Sequence, residues 1–242
     1  MERTRADPIN AAEEAVSVRQ AGAHELRALT RATALAFYED PHMRWVMPDD
    51  AQRLAQLERG FAAGLRGAWL RHEACYTTAG VVGGAFWLPP GEEKLGVARM
   101  LRLLPAMLAA YRSSTPRVLR ALAFLERMHP REPHWYLAVL GVKPAWQRRG
   151  LGTALMKAIL DRCDREGTPA FLEASTARSR ACYERQGFEV MSEFRLCGEG
   201  PTGWQMWRRP RRLGAGEAGA VRGSSDVTLD PGKAPSRAPS DE

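Results

Sequence analysis

The run from Gln147 to Thr153 has the residue types that bind a diphosphate. It reads Gln-Arg-Arg-Gly-Leu-Gly-Thr and lies between an apolar stretch, 135–142, and a segment with helical periodicity. Its two glycines let the backbone approach an anion closely. A helix that begins here directs its free N–H groups and the positive end of its dipole at that anion. We therefore predict a pyrophosphate site to which Arg148 or Arg149 adds positive charge, unless both point to water.

Two common phosphate motifs do not fit this run. A P-loop requires Gly-Lys followed by Ser or Thr, whereas this chain has Gly152-Thr153-Ala154. A dinucleotide fingerprint requires a third small residue at the position of Leu155. The pattern that remains is Gln/Arg-x-x-Gly-x-Gly/Ala, which holds the pyrophosphate of coenzyme A in other proteins.

A strand-like stretch followed by a short helix lies downstream of this run. The stretch Ala170–Ala174 is mostly apolar, and residues 183–188, Tyr-Glu-Arg-Gln-Gly-Phe, are typical of a helix that ends at a glycine before another strand. Together with the diphosphate run, they resemble the GNAT acyltransferase superfamily over roughly residues 16 to 209. The chain further resembles puromycin N-acetyltransferase and its close relatives at 130–138, 141–142 and 169–173.

The resemblance implies a fold and a co-substrate. The fold is α/β (α+β), with a central mixed, mostly antiparallel sheet flanked by helices and a helical insertion before the central strand. The co-substrate is acetyl-CoA, whose thioester carbonyl would be polarised by backbone N–H groups at a splayed or bulged strand end. Gly141 suits such a bulge, or it merely ends the strand. The predicted cofactor-binding residues are Leu140, Gly141, Val142, Gln147, Arg148, Arg149, Gly150, Leu151, Gly152 and Thr153.

Two side chains are candidates for catalysis. Relatives often use a tyrosine at the position of Tyr183 to protonate the leaving thiolate, although the alternative is a core tyrosine that only orders the cofactor. Glu173 is a carboxylate in an apolar run, where an unpaired charge is costly. Burial would raise its pKa, so that it could serve as the base, directly or through water, or it could bind the protonated amine. The alternative is a carboxylate paired with an arginine.

The predicted acceptor-binding residues are His42 and Trp45, together with Glu173. The first two lie at the turn after the first predicted helix, where acceptors commonly enter GNAT folds. His134, at the start of the central strand, could help to deprotonate the amine, or it could cap or pack the strand. Relatives often carry an asparagine shortly before the tyrosine, whereas this chain has Arg-Ser-Arg at 178–180, which leaves cofactor contacts from that loop open.

The resemblance implies an N-acetyltransferase in which the primary amine of a small molecule attacks acetyl-CoA directly. The acceptor would be an aminoacyl nucleoside such as puromycin, or another amine-bearing metabolite or toxin, with a role in antibiotic resistance or detoxification. Acetylation of a protein N-terminus or lysine is an alternative, against which a lidded pocket argues. A further hypothesis is a non-catalytic acyl-CoA sensor, against which the presence of both Glu173 and Tyr183 argues.

Length and composition favour one cytoplasmic domain with tails. A chain of 242 residues, 45% of them hydrophobic, can bury one sizeable core. The four cysteines are scattered without a CxxC pair, and no charged-then-apolar leader is visible, which is typical of a reducing cytoplasm. Arg99, Arg102 and Pro105 interrupt the most apolar long segment, so no membrane span is predicted.

The net charge of +7 raises the question of nucleic-acid binding. The arginines are dispersed over predicted helical faces, without the interleaved aromatic residues that a single-strand platform requires. We therefore predict no nucleic-acid partner and attribute part of the charge to the site for a polyanionic cofactor. The five histidines show no metal-ligand spacing, so no metal is predicted. The oligomeric state is left open between monomer and homodimer.

The elements that must position these residues follow from periodicity and breaker residues. We expect a strand at 16–19, a helix at 23–38 that stops at Asp40-Pro41, a helix after Asp49-Asp50, and a hairpin of strands 74–78 and 81–88. Beyond the insertion we expect the central strand at 135–142, a helix at 150–166 and the closing strands, of which the last is 204–208.

Three regions are predicted along the chain. Residues 1–15 form a flexible leader, 16–209 the acetyltransferase domain, and 210–242 a disordered tail without aromatic residues. The insertion, at about 92–128, contains two or three amphipathic helices interrupted by Pro105 and by a Ser-Ser-Thr-Pro stretch. It either walls the acceptor pocket, as in puromycin-type relatives, or only adds core.

Overall fold

The computed structural model describes residues 17–92 and 96–211. The predicted leader lies outside the described residues, and so does the predicted tail from residue 212 onward. The domain boundaries at residues 16 and 209 stay predictions. The described part includes all of the predicted site residues.

Seven strands form one sheet in this part of the chain. They are β1 (Val18–Gln20), β2 (Cys75–Thr78), β3 (Gly83–Leu88), β4 (Trp135–Val142), β5 (Ala170–Ala174), β6 (Glu189–Arg195) and β7 (Thr202–Arg208). Their order in the sheet is β1-β2-β3-β4-β5-β7-β6. Neighbouring strands are antiparallel, except that β4 and β5 are parallel. The mixed, mostly antiparallel sheet is therefore confirmed.

Seven α-helices flank the sheet within the described ranges. They are α1 (Leu26–Phe37), α2 (Pro41–Val46), α3 (Asp50–Gly64), α4 (Gly96–Tyr111), α5 (Thr115–Met128), α6 (Leu151–Glu166) and α7 (Ala177–Glu184). Helix α6 and Tyr183 of α7 belong to the hydrophobic core on one face of the sheet. Helix α1 packs on the opposite face, where α2, α3, α4 and α5 join a second core. The helical insertion before the central strand is thereby confirmed.

Most predicted elements are present, with shifted ends. Strand β1 begins at Val18 instead of residue 16, and β3 begins at Gly83 instead of residue 81 because Val81 has a φ of 47°, which strands do not adopt. Asp49 caps α3 as predicted, since its carboxylate accepts hydrogen bonds from the backbone of Ala51 at 3.0 Å and Gln52 at 3.3 Å.

The insertion consists of two α-helices, α4 and α5, joined by a short turn at 112–114. The prediction that Pro105 interrupts the insertion is wrong, because α4 continues through it. Helix α4 is held at its carboxyl end by α3: Gln56 Nε2 donates to the Tyr111 carbonyl at 3.0 Å, and Arg59 Nε donates to the Ala110 carbonyl at 3.2 Å. This packing outweighs the local preference of the proline against a helix interior.

Candidate active site

Strands β4 and β5 separate after their first residues. They pair at Trp135 with Ala170 and at Tyr136 with Phe171, although β4 continues to Val142 and β5 to Ala174. A parallel pair that loses its register in this way leaves a wedge-shaped opening between the two carboxyl ends. Backbone N–H and C=O groups of β4 that would otherwise bond to β5 border this opening.

A β-bulge lies in β4 at the start of the opening. Val139 pairs with Phe86 while Leu137 pairs with Trp87, so Ala138 is the extra residue. The bulge changes the face to which the odd-numbered side chains point: Leu137 lies in the core beside α6, whereas Val139 lies in the core beside α1.

The prediction of a bulge at Gly141 is therefore wrong. Gly141 pairs in regular register with Gly84, and a Cβ atom added to Gly141 would lie 3.0 Å from Cβ of Ala36 and 3.1 Å from the ring of Phe37. Helix α1 thus approaches the sheet so closely at this point that the strand has no room for a side chain.

Two of the three predicted backbone groups of β4 face the opening. The Lys143 N–H donates to the Val82 carbonyl on the β3 side at 2.8 Å, and by strand alternation the Gly141 N–H points to that side as well. Leu140 and Val142 then point toward the opening. On this side the Val142 carbonyl accepts a hydrogen bond from Gln147 Nε2 at 3.0 Å, so the Gln147 side chain joins the strand end to the diphosphate run.

The diphosphate run forms a tight turn at the amino end of α6. Arg148 and Gly150 have φ angles of 63° and 78°, and α6 begins at Leu151 with Gly150 as its N-cap, which offers no capping side chain. The first-turn N–H groups are thereby left for another acceptor. A Cβ atom added to Gly152 would lie 3.8 Å from Cδ2 of Leu140, so this helix end packs against the Leu140 side chain on the face of the sheet that α6 covers.

Both arginines of the run are exposed. The guanidinium of Arg149 lies over the ring of Trp146, 5.0 Å from its centroid, which is the geometry of a cation–π contact. Both charged groups are thus near the helix start and open to an anion from solvent.

Tyr183 lies on α7, buried in the core beside α6, with its ring 6.0 Å from that of Phe188 in an edge-to-face arrangement. Burial raises the pKa of its phenol, and the nearby charges of Cys182 and Asp40 raise it further. Beyond the end of α7, Gln186 Nε2 donates to Thr153 Oγ1 at 3.3 Å. The segment that follows α7, the helix of Tyr183, therefore contacts the first turn of α6.

Glu173 lies across the opening from the bulge. Because Phe171 pairs with Tyr136, Glu173 is level with Ala138, two residues further along each strand. Its side chain is 9% exposed. Burial raises the pKa of its carboxyl to about 7, while the Tyr136 hydroxyl opposes this by interacting with the carboxylate. The carboxyl thus titrates near neutrality, as a base for an amine requires.

The two predicted acceptor-binding side chains of α2 pack against the connection between β6 and β7. His42 is buried, and its Nε2 donates to the Thr202 carbonyl at 3.1 Å. The ring of Trp45 packs on the backbone of Gly200, where an added Cβ atom would lie 3.1 Å away. The structure therefore brings both to the β6–β7 connection, and contact with an acceptor stays a prediction.

Asp40 and His129 are site residues that sequence analysis did not identify. The Asp40 carboxylate caps α2, accepting from the backbone of His42 at 2.9 Å, and it also accepts a hydrogen bond from the Ser175 hydroxyl directly after β5. His129, which follows α5, lies with Nδ1 3.8 Å from Oε1 of Glu173. The Asp40–Ser175 and His129–Glu173 contacts have no local sequence signal, because the partners are far apart along the chain.

The described residues, 17–92 and 96–211, contain neither a cluster of metal-ligand side chains nor a membrane-spanning helix. Within them, no three His, Cys, Asp or Glu side chains come together as metal ligands would, and the absence of a metal stays a prediction. In the same ranges, no helix is both long and apolar enough to cross a membrane.

Sequence comparison shows a match to a protein-family model over about a third of the chain. Residues 106–188 match the model of the acetyltransferase (GNAT) family. An uncharacterized N-acetyltransferase of Schizosaccharomyces pombe is 41% identical over 59 residues, which is 24% of this chain and 24% of that protein. The match to this relative therefore spans about a quarter of its length.

Structure comparison shows the same fold in solved structures of acetyltransferases. A structure titled histone acetyltransferase HPA2 and related acetyltransferase, from Corynebacterium glutamicum, matches with a TM-score of 0.61 and 20% identity, covering 82% of this chain and 98% of that one. A polyamine N-acetyltransferase of Drosophila melanogaster, described as forming N-acetylagmatine, matches with a TM-score of 0.51 and 15% identity, covering 80% and 99%. At these identities the matches show the fold, which is the GNAT fold.

Proposed function

We propose that this chain, which has the GNAT fold and whose residues 106–188 match the GNAT acetyltransferase family, transfers an acetyl group from acetyl-CoA to the primary amine of a small molecule. The family match and the structural neighbours together indicate an N-acetyltransferase. The proposal adds the co-substrate, the acceptor class and the roles of the residues.

One observation carries the proposal: the opening between β4 and β5 ends at the start of α6. The strands part after Tyr136 and Phe171, the Gln147 side chain of the turn before α6 bonds the Val142 carbonyl, and Gly152 in the first turn of α6 lies against the Leu140 side chain. An extended thioester arm requires an open strand edge, and a diphosphate requires unbonded amides at a helix start. The open edge of β4 and the uncapped start of α6 occur next to each other here, which supports coenzyme A as the ligand.

The residues of the opening have distinct roles in this proposal. Acetyl-CoA supplies the activated acetyl group. The amides of Leu151, Gly152 and Thr153 bind the diphosphate, and Arg148 or Arg149 adds positive charge. The N–H groups of Leu140 and Val142 that face the opening bind the thioester arm and polarise its carbonyl. The Gln147 side chain fixes the turn by bonding the Val142 carbonyl.

The proton transfers fall to Glu173 and Tyr183. An amine is protonated in neutral water and must lose a proton before it can attack a carbonyl. Glu173, with its pKa raised to about 7 by burial, accepts that proton directly or through water. Tyr183, whose phenol stays protonated because burial raises its pKa, donates a proton to the departing thiolate.

The acceptor is proposed to be a small amine. The Drosophila enzyme, which is similar in fold, is described as forming N-acetylagmatine, a small acetylated amine. Puromycin and related aminoacyl nucleosides remain acceptors to be tested, on the resemblance of the sequence alone. The proposal includes no nucleic-acid partner, a monomer or homodimer, and a location in the cytoplasm, for which the scattered cysteines are the support.

An acetylation assay with a panel of amines tests the proposal. The purified chain is incubated with acetyl-CoA and, separately, agmatine, spermidine, tryptamine, puromycin and a lysine-containing histone peptide, and both thiol release and the mass gain of one acetyl group are recorded. Acetylation of at least one small amine is expected. Acetylation of the peptide alone would indicate a protein acetyltransferase, and tight acetyl-CoA binding without any transfer would indicate a sensor.

A further inference from the structure

The helical insertion contributes a histidine to the surroundings of Glu173. His129 directly follows α5, and its side chain is 4% exposed. Its Nδ1 lies 3.8 Å from Oε1 of Glu173, which is longer than a hydrogen bond and within the range of an ion pair. In the part of the chain that the structure describes, Oε1 has no hydrogen-bond partner. An imidazole is thus the nearest cation-forming group to a buried carboxylate oxygen that lacks a hydrogen bond.

Aromatic contacts hold the His129 ring in place. It meets Tyr136 and Phe171 edge to face, with centroids 4.5 Å and 4.8 Å away, and it stacks on His134 at 5.2 Å. His134 is fixed in turn, because its Nδ1 donates to the Glu132 carbonyl at 2.6 Å. With rings on three sides, His129 keeps its Nδ1 toward the carboxylate.

Three titratable side chains surround Glu173 among the described residues. They are Tyr136 of β4, His129 at the end of α5, and His134 behind His129. Strand β7 contributes the neutral Gln205, which pairs with Glu173 in the sheet. Burial raises the carboxyl pKa to about 7, and a positive charge on a neighbouring group would favour the carboxylate form.

We propose that His129 is a positioning residue that forms a proton-accepting pair with Glu173 by stabilising its carboxylate. This role rests on the proposed function, in which the acceptor amine gives up a proton. The ammonium passes that proton to the pair, which holds it either as the neutral carboxyl beside a neutral imidazole or as carboxylate beside imidazolium. The free amine then attacks the thioester carbonyl; as the C–S bond breaks, the thiolate takes the Tyr183 proton and the second proton of the nitrogen returns to Tyr183. The proton held by the pair leaves to solvent after the product has dissociated.

The titration of Glu173 itself tests the pair without any acceptor. The chain is labelled with ¹³C-carboxyl glutamate, and the Glu173 signal is identified by its loss in Glu173→Gln. In His129→Phe, which keeps a planar ring and has no ring nitrogen, the midpoint of the Glu173 titration is expected to move up by about one pH unit, because an opposite charge within a few ångströms favours the carboxylate.

The chain offers a matched control at a second His–Glu pair. Nε2 of His72 lies 3.8 Å from Oε2 of Glu92, the same separation as in the proposed pair, but the Glu92 side chain is 39% exposed. His72→Phe is expected to leave the Glu173 midpoint unchanged. A second site variant, His129→Leu, is expected to move the midpoint in the same direction as His129→Phe, and it replaces that variant if the larger ring prevents folding.

The outcomes separate this inference from the proposed function. An unchanged Glu173 midpoint in the folded His129 variants would overturn the pair, even if the wild-type enzyme acetylates amines. Failure of the wild type to acetylate any amine would contradict the proposed function, and the titration would still decide whether the pair exists. Once an acceptor amine has been identified, the acidic limb of the pH profile of kcat/KM is expected to shift together with the Glu173 titration midpoint, while the KM for acetyl-CoA stays the same.

Discussion

At the scale of single residues, Tyr183 is suited to give a proton and Glu173 to take one. Both are buried, and burial disfavours the charged form of each. For a phenol this means that the hydroxyl keeps its proton at neutral pH, and for a carboxyl it means that the group titrates close to neutrality instead of in acid. Under the proposed function, burial therefore favours both the acid role of Tyr183 and the base role of Glu173.

Removal of the Tyr183 hydroxyl tests the acid role. We expect Tyr183→Phe to lower kcat roughly ten- to a thousandfold, the effect of a lost acid catalyst, while the ring still packs on Phe188 and acetyl-CoA affinity is kept. Thiol release measures kcat. The control is Tyr38→Phe, whose hydroxyl bonds the Asp50 carbonyl at an exposed site, and which should retain full turnover. Equal kcat for both variants would exclude Tyr183 from the chemistry.

Glu173→Gln tests both the base role and the cost of the buried carboxyl. Because the folded pKa of Glu173 is raised to about 7, the folded state holds a proton that the unfolded chain releases, and stability falls as pH rises from about 4.5 to about 7. Glutamine cannot ionise and does not incur this loss. We therefore expect the unfolding free energy of the variant, relative to that of the wild type, to increase by roughly 2–4 kcal/mol between pH about 4.5 and about 7.

Urea denaturation at the two pH values measures this gain in unfolding free energy. The control is Glu189→Gln, at an exposed position of β6, which is expected to show no such gain. The same Glu173 variant should lose the acidic limb of the wild-type pH–rate profile. A variant that keeps this limb would show that another group accepts the proton.

At the scale of elements, the sequence predicts the amino end of α6 and the span of β4 well, because glycine chemistry and apolar runs are local signals. The bulge is different. Its place at Ala138 depends on the register between β4 and β3, which long-range pairing sets. The sequence predicts the bulge at Gly141 because that residue is a glycine, but a glycine is needed there because helix α1 packs against it. Register of this kind is not encoded in the residues of one strand.

A carboxylate at the start of α6 would separate helix stability from anion binding. Gly152 is the second residue of α6, and a carboxylate in the first turn stabilises a helix but competes for the amides that would bind a diphosphate. We expect Gly152→Asp to fold at least as well as wild type and to lower coenzyme A affinity more than tenfold, an estimate for placing a like charge at the phosphate site. Ala51→Asp, at the same position of α3, should leave affinity unchanged.

The docking of the insertion depends on a buried amide in α3. Gln56 bonds both the Tyr111 carbonyl and the Ser114 hydroxyl, and it is fully buried. Gln56→Leu leaves these groups without their partner, so we expect the unfolding free energy to fall by about 1–3 kcal/mol. Gln52→Leu, one turn earlier on the exposed side, should change it by less than about 0.5 kcal/mol. Equal losses in chemical denaturation would contradict this role.

At the scale of the whole molecule, the site is assembled by contacts between distant segments. Asp40 meets Ser175, His129 meets Glu173, and Gln186 meets Thr153. The sequence indicates Glu173 and Tyr183 because each has an unusual residue type in a recognisable pattern, whereas His129 and Asp40 acquire their place only from the fold. This is why the fold could be predicted from residue spacing, and why the surroundings of Glu173 could not.

The central claim is that the opening between β4 and β5 and the start of α6 bind coenzyme A. Isothermal titration calorimetry of the purified full chain with coenzyme A and with acetyl-CoA tests it most directly, with Gly152→Asp measured alongside. We predict saturable binding of both ligands to the wild-type chain and strongly reduced binding to the variant. A folded wild-type chain that binds neither ligand, or a variant that binds both as tightly as wild type, would contradict the account.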